Sequence, residues 1–446
     1  MRAFHASWWC FFIAFFIWFS AAPLLSEIKD TLGLTKQEIW NSSIAGVAST
    51  IVMRFINGPM CDKYGPRIMM SVILLIACVP TALTGVVESA SDLLIVRMFI
   101  GIGGSTFVMC QYWTSRMFTR EVVGTANALA GGWGNLGGGV TQIVVGTVLF
   151  PLFKSIYSDD ADCVPNAVPA QGACASEKSW RTVCIIPAAF TAISAIWIIN
   201  HSDDAPKGNF HEMKMNGAMP TISAASSFRD GAYNVNTWIL FVQYACCFGV
   251  ELTMNNAAAL YFKEEFGQST ESAAAIASIF GWMNLFARGI GGFMSDKMNA
   301  KMGMKGRLLV QSVLLFCEGI LVLIFAQSTN LGIAILILVF FSTFVQSAEG
   351  STYGIVPYVN PPVTGSIAGI VGAGGNSGAV AFGMCFRELD YKDAFIIMGF
   401  CILGSSLLSP LIRIRGQSSL LLPPIQGSAP EFIQAPDVEA AEADDA

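Results

Sequence analysis

Twelve stretches of about 20 predominantly apolar residues recur along this 446-residue chain, and they leave few folds open. They fall at 5–25, 37–58, 67–88, 92–114, 122–150, 180–200, 236–260, 271–293, 306–327, 331–350, 363–386 and 392–413. Each is long enough to cross a bilayer. In hydrocarbon every backbone N–H and C=O must be satisfied within the segment, so runs of this length are helices. The chain is 54% hydrophobic and 13% charged, whereas soluble domains carry about a quarter charged residues. The first run, with Arg2 before it and Ser20-Ala21-Ala22 at its end, could be taken for a signal peptide. Eleven spans follow it, so a first transmembrane helix is the simpler reading.

Basic residues set the orientation. Arg2, Lys63, Arg67, Arg116, Arg120, Lys207, Lys214, Arg229, Lys297, Lys301, Lys305, Arg307, Arg413 and Arg415 fall on one side and outweigh Lys29, Lys36, Lys154, Lys178, Arg181, Lys263, Arg387 and Lys392 on the other. This excess places both termini in the cytoplasm, and the plasma membrane is the expected location. The expected layout is an N-terminal six-helix half (1–201), a cytoplasmic linker rich in Gly, Pro and Ser (202–235), a C-terminal half (236–415) and a disordered acidic tail (416–446). The tail contributes much of the net charge of −6, so charge gives no reason to expect a nucleic-acid partner. His5, His201 and His211 are scattered and no C-x-x-C occurs; neither a metal nor a cofactor is expected. Most of the twelve cysteines sit in apolar runs as small hydrophobes. Cys163 and Cys174 share a polar loop on the outer side, where a disulfide is plausible.

The chain repeats itself. RFINGPMCDK (54–63) returns as RGIGGFMSDK (288–297), with six of ten positions identical at an offset of 234. STFV at 105–108 returns at 342–345. Gly131-x-x-Gly134-Asn135-x-Gly137 returns as Gly372-x-x-Gly375-Asn376-x-Gly378 at an offset of 241, with Gly124 and Gly365 in register. Three matches in one order mean two homologous halves. Two parallel six-helix repeats are the plan of the major facilitator fold, in which the substrate site lies at the midplane between them. GPMCDKYGPR (58–67) resembles that superfamily's loop signature; Asp62, Arg67 and the second-copy Asp296 are therefore read as gating or structural residues.

Arg54 and Arg288 each lie eight residues before the Asp-Lys at the cytoplasmic boundary, which is about 12 Å into a core about 30 Å thick. An arginine there costs on the order of 3 kcal/mol. No acid lies near either in sequence. An anionic substrate in a wet cavity would offset the cost, and the planar guanidinium fork suits oxyanions. The competing reading is ion pairing with acids on other helices. Arg97, early in its span, is expected to snorkel or pair. The glycines of 130–142 and 372–383 allow close helix packing, and the asparagine in each could hydrogen-bond an anion or a neighbouring helix. Gly132-Trp133-Gly134-Asn135-Leu136-Gly137 formally matches a dinucleotide fingerprint. It sits in an apolar span with no acid until Asp159, so a dehydrogenase is rejected.

With RAFHASWW (2–9), AAPLL (21–25), CQYW (110–113), FGVELTMNN (248–256) and AEGSTYGIVPYV (348–359), these paired segments resemble the nitrate/nitrite porter family, in its eukaryotic high-affinity form. The resemblance implies nitrate or nitrite held between Arg54 and Arg288, with Asn135, Gly131, Gly372 and Asn376 beside it. It implies an aromatic wall of Tyr244, Phe248, Phe107 and Phe19, although each aromatic is also open to plain core packing. An accessory single-span membrane protein accompanies some plant-like relatives; no docking residue for one is visible. A basic pair expected after GIVPYV is replaced by Asn360-Pro361-Pro362.

The family's eukaryotic members look like proton symporters. Nitrate import opposes the membrane potential by about 2.3 kcal/mol per charge per 100 mV, and a titratable group is needed to couple it to protons. The carboxylates available are Glu251, Glu318 and Glu349, and Glu251 is the first choice, expected toward the outer side. Nitrate/nitrite exchange without protons, or a nitrate sensor, would use the same site.

Overall fold

The apolar runs form helices of 21 to 36 residues in the computed structural model, which describes residues 2–119, 121–158, 171–205, 208–215, 223–268, 270–423 and 425. The spans are α1 (Arg2–Leu32), α2 (Lys36–Tyr64), α3 (Pro66–Val86), α4 (Ala90–Met117), α5 (Val123–Ser158), α6 (Cys174–His201), α7 (Val235–Phe266), α8 (Ser272–Met302), α9 (Met304–Phe325), α10 (Leu331–Val359), α11 (Pro361–Glu388) and α12 (Tyr391–Leu411). Local chemistry sets several ends. Thr35 and Glu38 close a capping box at the start of α2, and Asn330 accepts from the Ile333 N–H at the start of α10. The sequence suggests that α10 stops near Gly350. It runs nine residues further, through Pro357, because its far end is buried by neighbouring helices that override the weak local signal.

Contacts repeat under a shift of six helices. Helix α1 packs on α5 as α7 packs on α11, α2 on α4 as α8 on α10, and α3 on α6 as α9 on α12. Two six-helix halves follow, related by pseudo-symmetry. The pairs α3/α6 and α9/α12 are peripheral. Ile68, Val72, Ile76 and Val79 on α3, and Val313, Phe316, Ile320 and Ile324 on α9, recur at helical spacing and are exposed. Apolar stripes facing outward identify lipid as the solvent.

The seam joins α2 to α11 and α5 to α8, again related by the shift of six. It is built on repeat glycines. A Cβ on Gly58 would lie 2.7 Å from the Gly365 carbonyl oxygen, and one on Gly292 would lie 2.5 Å from that of Gly124. Without a hydrophobic force between helices in lipid, such backbone approach supplies the packing. Asp62 bridges this seam by accepting from the Ser366 backbone N–H (3.2 Å) and from Ser227 Oγ (2.7 Å) on the short helix Ala224–Ala232. Asp296 does the equivalent, accepting from the Thr125 N–H and Oγ1, both at 2.6 Å, while it pairs with Arg307 at 2.7 Å. Each aspartate therefore caps the start of a helix in the opposite half. Arg67 acts within one half, donating to the Ile199 and Ser202 carbonyls and so tying α3 to α6.

The segment between the halves contains two short helices, Phe210–Met215 and Ala224–Ala232. Ser418, just past α12, accepts from the Lys305 N–H at 3.1 Å. Residues 426–446 lie outside the described residues. So does Cys163, whereas Cys174 is disulfide-bonded.

Gly292→Leu is expected to cost about 1–3 kcal/mol by overpacking the α5–α8 crossing. Thermal unfolding in detergent checks this against Gly404→Leu, where an added Cβ meets nothing within 4 Å and the midpoint should not move.

Candidate functional site

Helix breaks surround the middle of the seam. Helix α4 tightens to a 3-10 turn over Gly101–Ser105, α7 is interrupted at Cys246 and Cys247, and α8 has a 3-10 turn at Met283–Leu285 just before Arg288. Such turns release carbonyls from the α-helical ladder, which is tolerated at membrane depth only where other groups take them up.

Arg54 takes up two. It donates to the Gly104 carbonyl in its own half (3.0 Å) and to the Gly372 carbonyl across the seam (2.5 Å). Its guanidinium lies 4.8 Å from the Phe107 ring centroid and 5.0 Å from that of Phe248, within cation–π range. Arg288 lies 5.5 Å from the Phe107 centroid. It donates to Tyr244 Oη at 2.9 Å and is ion-paired with Glu349 of α10. Both arginines are fully buried. The competing ion-pair reading thus holds for Arg288 and not for Arg54, which has no carboxylate partner among the described residues. The reason lies in the repeat. At the 237 offset of STFV, Glu349 and Tyr353 correspond to Tyr112 and Arg116, so the N-terminal half carries no acid at that place.

The signature glycines receive the arginine of the opposite half. A Cβ on Gly131 would lie 2.7 Å from Arg288 Nε, and one on Gly372 would lie 3.3 Å from an Arg54 terminal nitrogen. The Nε–H of each arginine is buried with no hydrogen-bond partner, as are Asn135 Oδ1 and Asn376 Oδ1. Buried donors are seldom left so, and each marks an unmet hydrogen bond at the seam.

The wall around them is aromatic. Phe107 stacks on Tyr244 and Phe248 with centroids 5.8 and 5.6 Å apart, and Tyr353 meets Phe107 edge-on at 4.9 Å. Phe19 is not brought to this wall; its ring contacts are Phe15 and Trp18. Phe11 and Phe15, two turns and one turn earlier on α1, meet Phe107 and Phe248 instead. Tyr353 was not singled out from the sequence because the last turns of α10 were not read as helix. Its spacing of four from Glu349 was the available signal.

Three carboxylates are buried here. Asn135 Nδ2 donates to Glu251 at 2.9 Å and reaches Glu349 at 3.5 Å, while Asn284 donates to Glu251 at 2.7 Å. Glu251 is therefore not at the outer rim but joins the Arg288 network through Asn135. Neither carboxylate oxygen of Glu318 has a hydrogen-bond partner. Asn376 donates to the Val47 carbonyl at 3.2 Å. Among the described residues no His, Cys, Asp or Glu cluster could hold a metal.

The family description Major Facilitator Superfamily matches residues 7–383. The chain is 36% identical to high affinity nitrate transporter 2.5 of Arabidopsis thaliana, over 91% of this chain and 78% of that one. It is 34% identical to nitrate transporter 2.1 of Chlamydomonas reinhardtii (97% and 78%) and 28% identical to the nitrate/nitrite transporter NrtP of Picosynechococcus (85% and 83%). A bacterial homologue of the human lysosomal transporter Spinster, solved inward-facing and occupied, superposes with a TM-score of 0.61 over 92% of this chain and 95% of that one. At 15% identity that likeness speaks to the fold alone.

Gly131→Ala should destabilise the protein more than Gly372→Ala, by about 1–3 kcal/mol against less than about 1, because an added Cβ would lie 2.7 Å from Arg288 Nε at the first and no closer than 3.2 Å to any neighbour at the second. Thermal unfolding of the two purified variants measures the difference.

Proposed function

The chain belongs to the major facilitator superfamily and, within it, to the nitrate/nitrite porters, and from that premise we propose that it imports nitrate, with nitrite as a second substrate, by proton symport. The observation that carries this reading is the pair of fully buried arginines, one from each half, facing a single ring with both Nε–H groups unpartnered. A planar oxyanion between them would accept from both forks and neutralise charge that is otherwise costly to bury. Gly131 and Gly372 leave room for the guanidinium groups, and the Tyr244–Phe248–Phe107 wall excludes water from the anion.

The coupling proposed here runs through Arg288. Glu349 competes with nitrate for that guanidinium. Protonating Glu349 removes the competing charge and lets the anion take its place. Glu251, linked through Asn135, is the second carboxylate of the network and can accept a second proton. Two protons with one nitrate carry a net positive charge inward, so the membrane potential then assists uptake. Access would alternate by parting the Asp62 and Asp296 caps, which lie on the face assigned to the cytoplasm by its excess of basic residues. The same excess supports cytoplasmic termini in a plasma-membrane protein.

Arg54→Ala and Arg288→Ala should each lower nitrate uptake by roughly 100-fold, the value of a charge-assisted hydrogen-bonded pair. Vesicles supplied with nitrate, nitrite or chlorate at two pH values measure this, and unimpaired uptake in both variants rejects the central site. Glu349→Gln separates symport from exchange. The wild-type chain should bind nitrate more tightly as pH falls, because protonation releases Arg288. The glutamine variant should bind at all pH values but show no nitrate-induced proton current. A normal current in Glu349→Gln removes this carboxylate from the mechanism.

A further inference from the structure

At the end of the bundle opposite the aspartate caps, a cavity of about 170 Å³ opens between α1, α2, α7 and α8. Lys29, Lys36 and Lys263 border it, together with Asp30 and Glu264, and Trp40, Ser43 and Asn256 also contribute to its lining. Lys36 pairs with Glu264 at 3.6 Å. Behind this lining lies Arg97. It neither snorkels nor pairs with an acid. It is 5% exposed, and its guanidinium donates to Ser42 Oγ (3.1 Å), Ser43 Oγ (2.7 Å) and, across the seam, Asn256 Oδ1 (3.4 Å). All three partners are neutral, and no carboxylate pairs with it among the described residues. Arg97 is thus a buried cation left with its charge uncompensated among the described residues, behind a wall of two polar side chains. A positive charge under a low-dielectric cleft focuses its field into that cleft.

A narrow extension shares Trp40, Ser43 and Asn256 with the cavity and continues to Val47 and Thr253. The Val47 carbonyl is the group that accepts from Asn376, next to the Arg54 site. From Ser43 to Arg54 is eleven residues of α2, about 16 Å.

We propose that Asn256, whose amide keeps one N–H beyond its bond to the Leu252 carbonyl, and Arg97 behind it form a second anion site that holds a small oxyanion before it passes to the central pair. This rests on the reading of the central site as a nitrate site. The lysines of the cavity rim draw the anion in, and Arg97 holds it at the floor without the carboxylate competition that Arg288 faces.

Equilibrium binding of isotope-labelled nitrate to the purified full-length protein tests the site. Arg54→Ala should retain one weaker nitrate per chain, and adding Asn256→Asp should abolish it. Asn256→Asp puts a carboxylate against Arg97. A purely structural arginine would gain a partner, so the fold should survive and thermal unfolding verifies that it does. In vesicles Asn256→Asp alone should raise the KM for nitrate about tenfold, with a smaller effect on the saturated rate. Should Arg54→Ala bind no nitrate while the wild type binds one, the second site is wrong and the central site stands. Equal binding by Arg54→Ala with and without Asn256→Asp also overturns it. A wild-type chain that binds none removes the central reading, and this proposal with it.

Discussion

Two guanidinium groups buried where the halves meet set the terms for the structure around them. A charge in the middle of a membrane protein is stable only if its surroundings replace water. For Arg54 the replacement is two backbone carbonyls and the faces of Phe107 and Phe248. For Arg288 it is Glu349 and the Tyr244 hydroxyl. Those needs account for local departures from regular helix. The 3-10 turn before Phe107 offers the Gly104 carbonyl, and Gly131 and Gly372 lack side chains where a guanidinium of the other half must lie.

The two halves share a scaffold and differ in chemistry. Seam glycines, aspartate caps and crossing arginines all occur in pairs related by the internal repeat. The carboxylates break the symmetry. Glu251, Glu318 and Glu349 all belong to the C-terminal half, so one arginine is tied to titratable groups and the other is not. In the proposed symport one cation stays available to the substrate, while the other responds to protonation.

The two ends of the bundle also differ. At one, Asp62 and Asp296 lock helix starts across the seam, and Gly58, Gly124, Gly292 and Gly365 bring backbones together. At the other, a cavity bordered by lysines leads inward past Arg97. The described conformation encloses the arginine pair, and a cavity lies at the end opposite the caps.

How much of this was legible depends on the range of the interaction involved. Twelve membrane helices and two homologous halves were readable because lipid imposes length and hydrophobicity on each span separately, and duplication leaves matching residues at a constant offset. The depth of Arg54 and Arg288 followed from counting residues to a boundary. The contacts of those arginines were not readable. Whether Glu349 lies beside Arg288, whether Phe11 and Phe15 rather than Phe19 reach the aromatic wall, and whether Arg97 ends among hydroxyl groups all depend on how separate helices rotate and cross. One turn of α1, about 5 Å, moved Phe19 away from the site. The sequence by itself determined which residues are too polar for lipid and must face the interior. Tertiary structure alone decided what they meet there, because partners tens or hundreds of residues apart are chosen by packing across the seam and not by any local pattern.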